Sequence, residues 1–139
     1  MREILFRGKR KDNGEWVEGA FCPKSGDGLH DPLVDRPSII KLDEPNDGFW
    51  FDVDPDTVGQ YTGLQDKNGK RIFEGDIVTF KTSMSTFKPH YVRWKEGEAR
   101  FVVTGKDGVR SYPMDSSFEY EVIGNIHDNP ELLKGENHG

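Results

Sequence analysis

Ten Lys and Arg residues stand against five acids between positions 67 and 110, and they are interleaved with Tyr91, Trp94 and Phe101. Cations beside flat rings suit a phosphate held next to a stacked base. The guanidinium or ammonium pairs with phosphate oxygens while the ring face takes a planar heterocycle. Strand alternation over Tyr91 to Lys95 puts Tyr91, Arg93 and Lys95 on one face, with Val92 and Trp94 turned inward. Arg100 falls on the outward face of the next strand, opposite Phe101, and Lys70 and Arg71 lead into a strand after Asn68-Gly69. Lys70, Arg71, Tyr91, Arg93, Lys95 and Arg100 therefore form the candidate anion-binding set. The competing role is plainer. These charges solvate the outside of a sheet and pair with the acids of residues 43–66, which would leave no anion site.

Other chemistry is poorly supported. Asp52-Val53-Asp54-Pro55-Asp56 opens like a calcium loop, but Thr57 and Gly63 stand where the loop needs Gly and a bidentate Glu. A solvated acidic loop is the expectation, and no metal site is predicted. His30, His90, His127 and His138 show no paired-ligand spacing. Cys22 is the single cysteine, so no internal disulfide and no CxxC zinc pair can form, and a lone buried thiol is expected. Nothing in the sequence positions Cys22 against His30 as nucleophile and base, and no Gly-x-Ser-x-Gly elbow is present. Gly8-Lys9-Arg10-Lys11 lacks the rest of a phosphate loop. No catalytic residue and no cofactor are assigned.

The chain has 139 residues, of which 33% are hydrophobic, and the 16 glycines bring the apolar total only to the low edge of the globular range. One domain over 1–139 with a thin core and ordered loops is expected, divisible into residues 1–56 and a barrel-like 57–134. The net charge is −6, but residues 43–66 hold seven acids and no base. An acidic whole argues against non-specific coating of nucleic acid, whereas the basic stretch leaves room for a local anion-binding face. The start, Met1-Arg2-Glu3-Ile4-Leu5-Phe6-Arg7, is too short in apolar residues for a signal segment or a membrane span, so a cytoplasmic location is expected.

The elements that would carry these residues are short strands. Ile4 and Phe6 alternate, Lys11-Asp12-Asn13-Gly14 reverses the chain, and Trp16 to Phe21 returns as an N-terminal hairpin. Asn68-Gly69 and Asp107-Gly108 repeat the device. Residues 22–37 and 43–56 read as loops, with Ser38 to Leu42 and Phe49 to Val53 as brief strands. Strands are predicted at Asp76–Lys81, Tyr91–Lys95, Ala99–Val103 and Tyr120–Ile126, with a bulge at Gly124. Asn129-Pro130-Glu131 then caps a short C-terminal helix. Glu74-Gly75-Asp76-Ile77-Val78 has the form that opens a strand in SH3-like small barrels. The predicted class is mainly β: short-stranded antiparallel sheets with such a barrel in the second half.

Three blocks carry a further signal. Thr57-Val58-Gly59-Gln60-Tyr61-Thr62-Gly63-Leu64, then Asp66 to Lys70 and Phe73 to Val78, resemble the central motif of the YopX-like family of phage and prophage proteins. Val122 to His127 with Asn129-Pro130-Glu131-Leu132-Leu133 resembles its closing motif, and Ile4–Arg7 with Trp16–Gly19 its opening. The resemblance implies a phage or prophage origin and a mainly β fold, and it supplies no catalytic residue. The expected function is a non-enzymatic binding protein, for instance an oligomeric trap for a small anionic nucleotide signal of host defence. One alternative is a nucleic-acid- or protein-interaction module, whose acidic stretch could meet a basic host protein; another is a hydrolase of unfamiliar type. Exposed Phe49, Trp50 and Phe51 would favour a homo-oligomer.

Overall fold

A computed structural model describes residues 4–22, 37–40, 50–108 and 110–134. The chain divides into two compact units, residues 1–61 and 62–139. Both are built of antiparallel strands, as the alternating pattern predicts.

In the first unit, β1 (Phe6–Lys9) and β2 (Trp16–Cys22) form the N-terminal hairpin, pairing Phe6 with Gly19 and Lys9 with Trp16. The reversal closes through the Arg10 N–H on the Glu15 carbonyl, with Gly14 at φ 74°. Next, β3 (Ser38–Ile40) pairs with β2 and β4 (Trp50–Asp52) with β3, while β5 (Gly59–Gln65) joins the other side of β1. Lys41, Leu42 and Phe49, included in the predicted strands, lie outside the described residues. Val17, Ile39 and Val53 form the core, packed by Phe6, Phe21, Phe51 and Val58. Strand β2 approaches β3 so closely that a Cβ at Gly19 would stand 2.0 Å from the Ile40 carbonyl oxygen. The acidic stretch has a structural use here: Asp54 caps a 3-10 turn, Pro55–Thr57, by accepting the Asp56 N–H at 3.1 Å.

In the second unit, β6 (Arg71–Phe73) follows the Asn68-Gly69 turn and lies beside β5. Five further strands make one antiparallel sheet in the order β10-β9-β8-β7-β11. They are β7 (Asp76–Lys81), β8 (Thr86–Lys95), β9 (Arg100–Thr104), β10 (Ser111–Pro113) and β11 (Glu119–Asn125). The sheet curls into a half-barrel and ends in a single turn of helix, α1 (Glu131–Lys134). Ile72, Val78, Phe80, Val92, Val103 and Tyr120 are the buried core.

The family-like motifs do structural work in this unit. Asp66 accepts the N–H groups of Asn68 at 2.8 Å, Lys70 at 2.9 Å and Val122 at 3.1 Å, tying the turn to β11. Asp76, buried, accepts the Phe73 N–H at 2.8 Å and closes the turn between β6 and β7 around Gly75. The expected bulge in β11 falls between Val122 and Gly124. A Cβ at Gly124 would meet Asn129 Oδ1 at 2.7 Å and Leu132 Cδ1 at 2.8 Å, so glycine there lets the closing segment fold back over β11.

Candidate ligand-binding site

Phe80, inside the curl of the second sheet, organises the ring-bearing side chains around it. It stacks on Phe87 (centroids 4.5 Å apart, planes 5° apart) and meets His90 edge-on at 5.2 Å. Tyr112, Phe118 and Tyr120 pack round it at 6.1, 6.1 and 5.8 Å. Phe87 and His90 stand three positions apart on β8, so strict alternation would send them to opposite faces. They share a face because the β7–β8 register shifts between Val78 and Phe80: His90 pairs with Val78 and Phe87 with Phe80. Lys88 and Pro89 thus lie opposite Thr79 alone, and Pro89, which has no N–H, sits where the ladder is already interrupted.

A cavity of about 350 Å³ opens beside this cluster. Its walls come from Phe87, His90 and Tyr112, from the turn between β9 and β10, and from Leu133 of α1. Its charged residues are Lys88, Lys106 and Arg110, three cations, against the single carboxylate of Asp107. The Asp107-Gly108 turn aims this rim: the Gly108 N–H bonds the Gly105 carbonyl at 2.9 Å, and Asp107 Oδ1 accepts the Arg110 N–H at 3.4 Å. Asn125 and Asn129, which hold the closing segment to β11, thereby also place Leu133 in the cavity wall. The volume falls in the range of small-ligand sites, roughly 300–1,000 Å³, which are commonly apolar with a few placed polar groups. An aromatic wall under a net positive rim can hold a planar, anionic molecule.

The six residues singled out from sequence lie elsewhere, and none lines this cavity. Lys70 and Arg71 are exposed, at the end of the Asn68-Gly69 turn and the start of β6. Tyr91 and Arg93 do share a face of β8, where Tyr91 pairs with Thr104 and Arg93 Nε donates to Thr104 Oγ1 at 2.9 Å. Lys95 and Arg100 come together on one acid: Lys95 Nζ lies 2.9 Å from Glu98, and Arg100 Nε donates to it at 2.8 Å. These bonds, from Lys95 first and then Arg100, hold the Glu98 carboxyl below its ordinary range. Trp94 keeps the face of Val92 but is not buried as expected. It is 37% exposed and packs edge-on against half-buried Phe101 at 4.9 Å, because this pair lies near the turn that closes the β8–β9 hairpin, beyond the Val92–Val103 core. Val102, which alternation puts on the Arg100 face of β9, is buried.

The cavity residues Lys88, His90, Lys106 and Arg110 escaped the sequence reading. The overlooked signal is Lys88-Pro89-His90: a proline inside a paired strand requires a bulge, and a bulge re-aims the residues beside it. Among the described residues no group of three or more His, Cys, Asp or Glu side chains could hold a metal ion. No helix among them is long and apolar enough to cross a membrane.

These features define an antiparallel β protein with a cationic, ring-walled cavity at one end of its five-stranded sheet. The chain belongs to the YopX family, whose model, described as "YopX protein", matches residues 5–134. It is also similar to a solved structure, the crystal structure of protein EF1440 from Enterococcus faecalis. That likeness has 28% identity and a TM-score of 0.51, and covers 96% of this chain and 99% of the other. No curated protein matches.

Proposed function

We propose that this YopX-family chain is a non-enzymatic binding protein that captures a small anionic, ring-bearing ligand, concretely a nucleotide. The observation that carries the reading is the 350 Å³ cavity, in which Phe87, His90 and Tyr112 stand beside Lys88, Lys106 and Arg110. Rings offer a stacking surface and the cations attract phosphate. Binding alone would suffice for a phage or prophage product working in the cytoplasm of its bacterium, since sequestering a host-defence signal requires stoichiometric capture and no turnover. In this reading the anion site lies at the cavity rather than among the β8–β9 cations, because rings and cations share one concavity there, whereas Lys95 and Arg100 meet on Glu98 outside it.

Calorimetry against a panel of nucleotides tests it. Saturable heat is expected with at least one, weakened roughly tenfold by Lys106→Gln or Arg110→Gln, since a hydrogen bond to a charged group is worth about 1.5–3 kcal/mol. Absence of heat across the panel, or binding indifferent to both substitutions, overturns the reading. Chromatography of the incubated ligand separates capture from hydrolysis.

A second reading, self-association, is favoured by Trp50, which is 52% exposed on β4 at the end of its sheet. A monomeric mass by light scattering would remove it.

A further inference from the structure

The orientation of one imidazole says which ligands the cavity would prefer. His90 Nδ1 lies 2.7 Å from the Lys88 carbonyl oxygen. A carbonyl only accepts, so Nδ1 carries the proton, and in the neutral ring Nε2 is left as an acceptor. Rotation of the ring is restricted on three sides. Phe80 meets it at 5.2 Å and 81°, Phe87 at 6.4 Å and 85°, and Tyr112 at 5.8 Å and 56°.

Nε2 is turned toward Gly105, another cavity residue, where a Cβ would stand 3.6 Å from it. A Cβ there would meet Asp107 Oδ1 at 3.6 Å as well, so glycine leaves both acceptors uncovered. Among the described residues no protein group bonds Nε2, which stays accessible to solvent within the cavity lining. A pre-oriented acceptor of this kind discriminates by asking its ligand for a donor.

We propose that His90 is the specificity-determining residue of the cavity, its Nε2 accepting an N–H from the ring system of the bound ligand. This rests on the cavity reading above. The ligand class is narrowed to heterocycles bearing an exocyclic amino group as that donor, with the anionic part placed toward Lys88, Lys106 and Arg110. Asp107 stands among those cations as the carboxylate of the lining, where it also accepts the Arg110 N–H.

Matched pairs of 5′-monophosphates test the proposal at about pH 8, above the ordinary histidine range. Adenosine is compared with purine riboside, and guanosine with inosine, each pair differing in one amino group. In at least one pair the amino-bearing member is expected to bind about five- to tenfold more tightly to the wild type, the worth of one net hydrogen bond. In His90→Phe, which keeps a ring in the aromatic cluster, that ratio falls below about twofold while the member lacking the amino group still binds. Gly105→Ala, whose methyl meets nothing closer than ordinary contact, should also narrow the ratio and supports the test should His90→Phe fold poorly.

Equal affinities within both pairs, or an undiminished ratio in both variants, overturns the role of His90 while leaving the cavity reading standing. No binding by any of the four nucleotides removes both.

Discussion

Replacing Asp66 by Ala removes the acceptor of three backbone N–H groups at once. Two of those groups, on Asn68 and Lys70, belong to exposed turn residues and can turn to water, so each loss costs about 0.5–1.5 kcal/mol net. The third, on half-buried Val122, is left without its partner inside the sheet, at about 1–3 kcal/mol. The total, roughly 2–6 kcal/mol, is a large part of the ordinary stability of a domain, about 5–15 kcal/mol. Asp66→Asn keeps one oxygen for the turn but sets an amide donor against the Val122 N–H, and about 1–3 kcal/mol is expected. The pH dependence follows from the same geometry. Burial works to raise the Asp66 carboxyl, and the N–H groups of Val122, Lys70 and Asn68 outweigh it, holding the group below the ordinary carboxylate range. A carboxyl depressed in the folded state stabilises fully above its unfolded value and loses that contribution as pH falls through the folded one. Wild type should therefore lose stability more steeply than Asp66→Asn below about pH 4. Urea unfolding across pH, with hydrogen exchange at the Val122 amide as the local readout, measures both effects. Asp66→Ala within about 0.5 kcal/mol of wild type, or parallel acid slopes for wild type and Asp66→Asn, would refute the reasoning.

Other substitutions separate structure from site. Gly19→Ala should prevent the first unit from folding normally, because its methyl would lie 2.0 Å from the Ile40 carbonyl oxygen; native-like β2–β3 amide protection in that variant would contradict this. Phe80→Ala should destabilise the second unit by about 3–5 kcal/mol, the usual cost of emptying a buried phenyl site, as read by its urea midpoint. Lys95→Gln and Arg100→Gln should leave nucleotide affinity unchanged within twofold in the calorimeter, since Glu98 already holds both side chains. A tenfold loss there would return the anion site to β8 and β9. Trp50→Ser should convert any dimer seen by light scattering to monomer, and an unchanged mass would place the contact elsewhere.

The scaffold was legible wherever the chain obeys period two and turns on glycine. The hairpin of β1 and β2, the Asn68-Gly69 and Asp107-Gly108 reversals and the Gly124 bulge each rest on short-range rules that hold whatever packs around them. The site was less legible because it depends on exceptions to those rules. Reading Tyr91, Arg93 and Lys95 as one face was sound, but a shared face does not make a concavity, and Glu98, two residues before Arg100 and three after Lys95, was near enough to claim both cations. The cavity instead needs Phe87 and His90 on the same side of β8, which period two forbids and the Lys88-Pro89 interruption permits. Lys106 and Arg110 were passed over for a related reason. They flank a turn whose glycine announces a reversal without saying what the reversal will face.

The family-like blocks join these two levels. Asp66 ties its turn to β11, Gly124 allows the closing segment to cross that strand, and the same segment brings Leu133 into the cavity wall that Phe87 and Tyr112 also line. Residues that bind no ligand can thus set the shape of the place where one would bind. A search for chemistry confined to charged and nucleophilic side chains passes over them. In this fold the position of the cavity is decided by a proline, a glycine and an asparagine-anchored turn before any cation takes part.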